Sequence, residues 1–167
     1  ETQLTRSFGL QPAYLTNEFD KKNERYNYYV HGFEQSRRFR SLKVWMSFKR
    51  YGTDELGRWV DKNVAQAKHL FDLAAKSPEF VCATDPKMSA ICMRYINESF
   101  SDEVLTDLHI NVVRNIEAGG KFWISTTVLK GKTYFRINPV NFRTEIKHID
   151  ELYDTLKREC SVMVRSA

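Results

Sequence analysis

The chain has 167 residues, 42% hydrophobic and 13% aromatic, ample for one compact core. No run approaches the roughly 18 apolar residues a membrane span needs, so no membrane-spanning helix is expected. The cysteines, Cys82, Cys92 and Cys160, are odd in number and scattered, which fits reduced thiols in the cytoplasm and not a disulfide framework.

The chain opens on Glu1 without an apolar leader and so reads as a truncated or processed piece. Its net charge of +5 is concentrated. Residues 31–51 hold six Lys or Arg and one acid, Glu34, which leaves 20 basic and 20 acidic residues elsewhere. That distribution points to one local anion site and away from a broadly basic nucleic-acid surface.

Residues 1–35 are polar, with few apolar anchors (Phe8, Leu10, Leu15) before Phe19 and a cluster of Tyr26, Tyr28 and Tyr29. They predict a long loop of the lid or binding kind. Phe39, Leu42, Trp45 and Met46 then recur at helical spacing, which predicts a helix from Arg37 to about Tyr51, N-capped by Ser36 and closed by Gly52. Arg37, Arg38, Arg40 and Lys43 crowd its first two turns, where the helix dipole prefers acids. A bound phosphate resolves that mismatch.

A second helix is predicted from Asp54 to Lys76, with Leu56, Val60, Val64, Ala67, Phe71 and Ala74 on its inner face and Ser77-Pro78 as its stop. Strands are predicted over 79–83 and 89–96. Asp102 to Ala118 is a third amphipathic helix, with Val104, Leu105, Leu108, Val112 and Ile116 inward and Gly119-Gly120 at its end. Strands over 122–129 and 133–138 are joined through Lys130-Gly131-Lys132, a tight basic hairpin. Ile146, Ile149, Leu152, Leu156 and Cys160 mark a last helix. The predicted class is α+β, a short antiparallel sheet covered by helices.

Particular motifs narrow the reading. Ser36-Arg37-Arg38-Phe39-Arg40-Ser41-Leu42-Lys43-Val44-Trp45 resembles a segment of the group II pyridoxal-phosphate-dependent amino-acid decarboxylases, above all the aromatic-L-amino-acid branch. The resemblance continues through Tyr51-Gly52 and Leu56-Gly57-Arg58-Trp59-Val60. It resumes at Phe122-Trp123-Ile124-Ser125-Thr126-Thr127-Val128-Leu129-Lys130-Gly131-Lys132, at Tyr134-Phe135-Arg136-Ile137 and at Asn141-Phe142-Arg143-Thr144. Upstream, Phe8-Gly9-Leu10-Gln11-Pro12-Ala13-Tyr14-Leu15 is similar to the start of the family's catalytic loop.

The resemblance implies the C-terminal portion of a fold-type I enzyme. Residues 1–35 would be a catalytic loop segment of the large domain, 36–52 a connecting helix on the phosphate side, and 53–167 the small C-terminal α/β domain. The implied cofactor is pyridoxal 5'-phosphate, carried in the family by a lysine that follows a histidine. No His-Lys pair occurs here, and Lys147-His148 has the reverse order. The lysine is therefore expected in a missing N-terminal portion of the same enzyme. A homodimer and a small amino-acid substrate are also implied, with no nucleic acid and no membrane as partners.

Three residues carry the implied chemistry. Tyr14, on the loop, would deliver the proton that replaces the lost carboxylate at Cα; relatives with Phe at the matching place turn to oxidative aldehyde formation. Ser36 would meet the cofactor phosphate. Arg136, between Phe135 and Ile137, requires a planar anionic partner; its matching place lies near the substrate carboxylate, and a structural salt bridge to an Asp or Glu of the large domain is the alternative. An aromatic substrate is favoured. Glutamate, cysteine sulfinate and a diamino acid are alternatives within the family, and a non-catalytic basic binding or structural module is the alternative outside it.

Other residues read more plainly. His31, His69, His109 and His148 lack metal-ligand spacing, so no metal is expected, and the three on helices read as surface or boundary residues. Trp45, Trp59 and Trp123 read as core or interface aromatics, and Trp45 with Phe39 and Leu42 makes the first helix read as buried. Ser125-Thr126-Thr127 fits either a pocket lining or ordinary strand alternation. Arg143 reads as structural.

Overall fold

Residues Arg40–Ala75 form helix α1 in the computed structural model, which describes Gln3, Arg6, Ser7 and residues 38–166. Gly52, at φ 75° and ψ 167°, leaves helical space inside this run. Positive φ costs glycine no Cβ clash, so the predicted stop at Gly52 takes the form of a break within α1. The helix starts at Arg40, not Arg37. The Arg40 N–H donates to the Arg38 carbonyl at 2.7 Å and the Leu42 N–H to the Phe39 carbonyl at 3.2 Å, so a turn precedes the first helical residue. Ser36, the expected N-cap, lies outside the described residues.

The chain divides into two compact units, Glu1–Arg50 and Tyr51–Ala167. In the first, Phe39, Val44, Trp45, Met46 and Phe48 are all exposed, so the segment expected to be buried presents its apolar side chains at the surface. The Lys49 ammonium lies 5.8 Å from the Trp45 ring centroid.

The second unit follows α1 with β1 (Phe80–Cys82), β2 (Ile91–Tyr95), α2 (Asp102–Ala118), β3 (Ser125–Leu129), β4 (Lys132–Ile137) and α3 (Ile146–Ser166). The strands form one antiparallel sheet in the order β1-β2-β4-β3. The class is α+β, as the sequence predicts. Local signals set the bounds of α2. The Ser101 hydroxyl accepts the Val104 N–H, Asp102 and Glu103 suit the positive end of the dipole, and Gly119 caps the far end. Lys130 and Gly131 both have positive φ, 50° and 76°, which makes the two-residue β3–β4 connection a type I′ turn matched to strand twist.

Alternation buries Ile91, Met93 and Tyr95 of β2 with Phe135 and Ile137 of β4. They pack with Leu108 and Val112 of α2 and Leu152 and Leu156 of α3 in one core that Leu70 and Ala74 of α1 complete. Burial of Phe135, fully enclosed, contributes roughly 2–3 kcal/mol.

Four expectations are corrected. The buried face of α1 is Asn63, Gln66, Ala67, Leu70 and Ala74, whereas Val60 is exposed. The stripe is rotated because this side of α1 meets backbone and polar groups: Gln66 Nε2 donates to the Thr144 carbonyl at 2.6 Å, Tyr153 OH donates to the Leu73 carbonyl at 3.2 Å, and His69 Nε2 meets Asp150 Oδ1 at 2.6 Å. His109 is not a surface residue but fully buried. Its Nδ1 bonds the Leu105 carbonyl, its Nε2 accepts the Tyr95 N–H at 3.0 Å, and its ring packs 4.5 Å from that of Phe135. Third, the strand predicted from Phe122 begins only at Ser125, and Trp123 is 75% exposed. Last, of the two readings of Trp45 as a core or an interface aromatic, its exposure removes the core one, while Trp59 does stack, 4.4 Å from Phe142.

Candidate functional site

The alternation that buries Phe135 and Ile137 turns Arg136 to the opposite, exposed face of β4. Its register partners are Ser125 on β3 and Cys92 on β2. Beside it, where β4 ends and α3 begins, opens a cleft of about 600 Å³ whose walls include Phe122, Trp123, Ser125, Arg136, Val140 and His148. Among the described residues Arg136 has no ion-pair partner, and no Asp or Glu lines the cleft.

Several other polar groups of the lining are engaged. Lys121 pairs with Glu151. His148 Nδ1 accepts the Glu145 N–H at 3.0 Å, so the imidazole closes the first turn of α3 as the returning side chain of a capping box does. Asn138 Oδ1 accepts the Ser89 hydroxyl at 2.9 Å, and Asn141 Oδ1 accepts the Arg143 N–H at 3.0 Å. Arg143 itself lies over the Phe142 ring at 5.4 Å, in keeping with a structural reading.

Burial pushes the Cys92 thiol up, and the nearby Arg136 charge opposes that rise. Burial likewise raises Cys82, to about 11, so neither is a ready thiolate. Burial pushes the His109 imidazole down to about 4; the Leu105 carbonyl opposes that fall and the Arg94 charge adds to it. A neutral ring with both nitrogens occupied is a structural clip between α2 and β2.

Of the expected site residues, Arg136 alone falls in the described part. Tyr14, Ser36, Arg37 and His31 lie outside it. Ser125 lines the cleft as one reading of the Ser-Thr-Thr run expects, while Thr126 and Thr127 do not. Sequence reasoning missed Trp123 and Val140 as cleft walls, because both belong to the irregular ends of strands. The start of α1 bears on an anion: Arg38, Arg40 and Lys43 are exposed and the first turn holds no acid. That donor set suits a phosphate group. Among the described residues no cluster could hold a metal ion, and no helix is long and apolar enough to cross a membrane.

Residues 1–96 match the model of the pyridoxal-dependent decarboxylase conserved domain. The chain belongs to the pyridoxal-dependent decarboxylase family. Tyrosine decarboxylase 2 of Arabidopsis thaliana is 31% identical over 155 residues, 93% of this chain and 28% of the relative. Tryptophan decarboxylase 2 of Oryza sativa subsp. japonica is 28% identical over 95% of this chain and 32% of its own length. A crystal structure of Oryza sativa TDC with PLP and tryptamine superposes with a TM-score of 0.81 at 24% identity, covering 95% of this chain and 33% of that one. This decarboxylase-family chain thus spans about a third of the proteins it matches, and it shares their fold, that of fold-type I enzymes.

Proposed function

We propose that this chain is part of a pyridoxal-phosphate-dependent decarboxylase that converts an L-amino acid, preferably aromatic, to its amine and CO2. The observation that carries the reading is the family match over residues 1–96. The tyrosine and tryptophan named in the relatives' descriptions support the aromatic preference.

Bound pyridoxal phosphate supplies an electron sink for the bond that breaks. The residues of this chain do the rest. Arg136 forks onto the substrate carboxylate and orients the Cα–carboxylate bond. That bond breaks, CO2 leaves, and the electron pair left at Cα takes the hydroxyl proton of Tyr14. Residues 1–35 form the catalytic loop that excludes water while this happens. Ser36, with Arg38 and Arg40 beyond it, holds the phosphate in the connecting segment 36–52, and residues 53–167 form the small C-terminal domain. The enzyme is a cytoplasmic homodimer whose N-terminal portion carries the lysine.

The test uses the complete enzyme. Tyr14→Phe should lower amine formation about 100-fold while the pyridoxal absorbance is retained. Unchanged amine production would remove Tyr14 from the mechanism. A complete protein that carries no pyridoxal would overturn the reading as a whole.

A further inference from the structure

We propose that Gln66 of α1 is a positioning residue for the cleft: with Trp59 and Lys62 it clamps residues 138–145, the strap between β4 and α3 that forms one cleft wall. The inference rests on the reading of this cleft as the substrate site and adds what fixes its width.

Three observations carry it. The first is where the wall comes from. Five lining residues, Asn138, Pro139, Val140, Asn141 and Thr144, belong to this one segment. It lies between the end of β4 at Ile137 and the start of α3 at Ile146, so the ladder of the sheet does not reach it. Val140 is largely exposed and does not pin it by burial. The second is the clamp. Gln66 Nε2 donates to the Thr144 carbonyl at 2.6 Å and Lys62 Nζ to the Phe142 carbonyl at 3.0 Å, while the Trp59 ring stacks on Phe142 with 19° between the planes. Spacings of three and four put Trp59, Lys62 and Gln66 on one ridge of α1. Within the strap the Thr144 N–H donates to the Asn141 carbonyl and the Arg143 N–H to Asn141 Oδ1, both at 3.0 Å, so a hold on Thr144 is passed on to Asn141. The third is the difference in burial along the ridge. Lys62 is exposed and its bond competes with water, whereas Gln66 is fully buried. A buried amide that loses its bond costs more than an exposed donor that does. The ridge continues into Leu70 and Ala74 of the core. The core therefore holds the wall through Gln66, and the cleft keeps its width while that bond is made.

The test compares Gln66→Met, Lys62→Met and Tyr153→Phe in the complete enzyme. Methionine keeps an unbranched apolar stem and donates no hydrogen bond. Tyr153→Phe is the control, because it removes a bond to the Leu73 carbonyl of α1 from a residue outside the cleft lining. Steady-state kinetics with L-tyrosine, L-tryptophan and L-glutamate give KM and kcat, and amide hydrogen exchange reports on residues 138–145. Gln66→Met should raise KM for the preferred substrate about tenfold with kcat within about twofold. It should also speed exchange across the strap about tenfold while β3 and β4 stay protected. Lys62→Met should move both in the same direction by about twofold. Gln66→Met and Tyr153→Phe should each lower the melt by roughly 2–4 °C, but Tyr153→Phe should leave KM and strap exchange unchanged. A KM that Gln66→Met moves no more than Tyr153→Phe does, or strap exchange that Gln66→Met leaves unchanged, would overturn the inference. If amine is made and KM does not respond to Gln66→Met, the positioning role fails and the decarboxylase reading stands. If the strap loosens in a protein that makes no amine, the decarboxylase reading fails and the clamp stands.

Discussion

Arg94 and Arg136 sit on neighbouring, paired strands, and the sheet treats them in opposite ways. Arg94 is buried, with its guanidinium on Asp102 at the first turn of α2. Arg136 is exposed at the edge of a cleft and has no ion-pair partner among the described residues. A buried cation must find its anion within the fold, because removing charge from water is costly. An exposed one carries no such obligation. Arg136 beside apolar walls is thus open to an anion from outside the described residues, whereas the paired Arg94 serves the fold.

Three measurements test that contrast, starting with the largest effect. Arg94→Ala should lower the unfolding free energy by about 4 kcal/mol, from the cavity left by a buried side chain and the lost packing of its stem. Denaturant titration reads it, and a change as small as that at Arg136 would abolish the distinction.

His109 is the neutral counterpart of Arg94, a buried polar group satisfied on both sides. Its folded form titrates near 4 and its unfolded form near 6.5, so the unfolded chain takes up the proton first. The stabilisation is fully present above pH 6.5 and is lost as pH falls through about 4, roughly 3 kcal/mol in all. A melt series from pH 7 to 4 should show this fall. His109→Leu should flatten it, at the cost of leaving the Tyr95 N–H without an acceptor. A slope that persists in that variant would assign the acid sensitivity to other groups.

The smallest effect is the third. Arg136→Ala should change stability by no more than about 0.5 kcal/mol. A larger loss in the melt would mean that Arg136 is a structural residue after all.

These cases also mark how far the sequence could be read. The bounds of α2 were legible because every signal for them is local: acids at one end, paired glycines at the other, apolar residues between. The β3–β4 turn was legible for the same reason. His109 was not, since its burial depends on the Tyr95 N–H of another element. The inner face of α1 was misplaced because Gln66 is held by the Thr144 carbonyl, and a polar residue gives no periodic apolar signal. Phe122 and Trp123 have strand composition but no pairing partner, so the strand begins later than composition alone predicts. Arg136 was legible as a residue in want of an anion. Its exposure, and the cleft at its side, follow from the pairing of β4 with both neighbours.

The type I′ turn at Lys130-Gly131 has a consequence for how the chain reaches this arrangement. Closing a two-residue loop confines little chain, whereas bringing Met93 opposite Phe135 encloses all of α2 and β3. The β3–β4 hairpin can thus set its own register early and serve as the template on which β2 later docks. Arg136 acquires its outward direction in that first local step, before the core that hides its two neighbours has assembled.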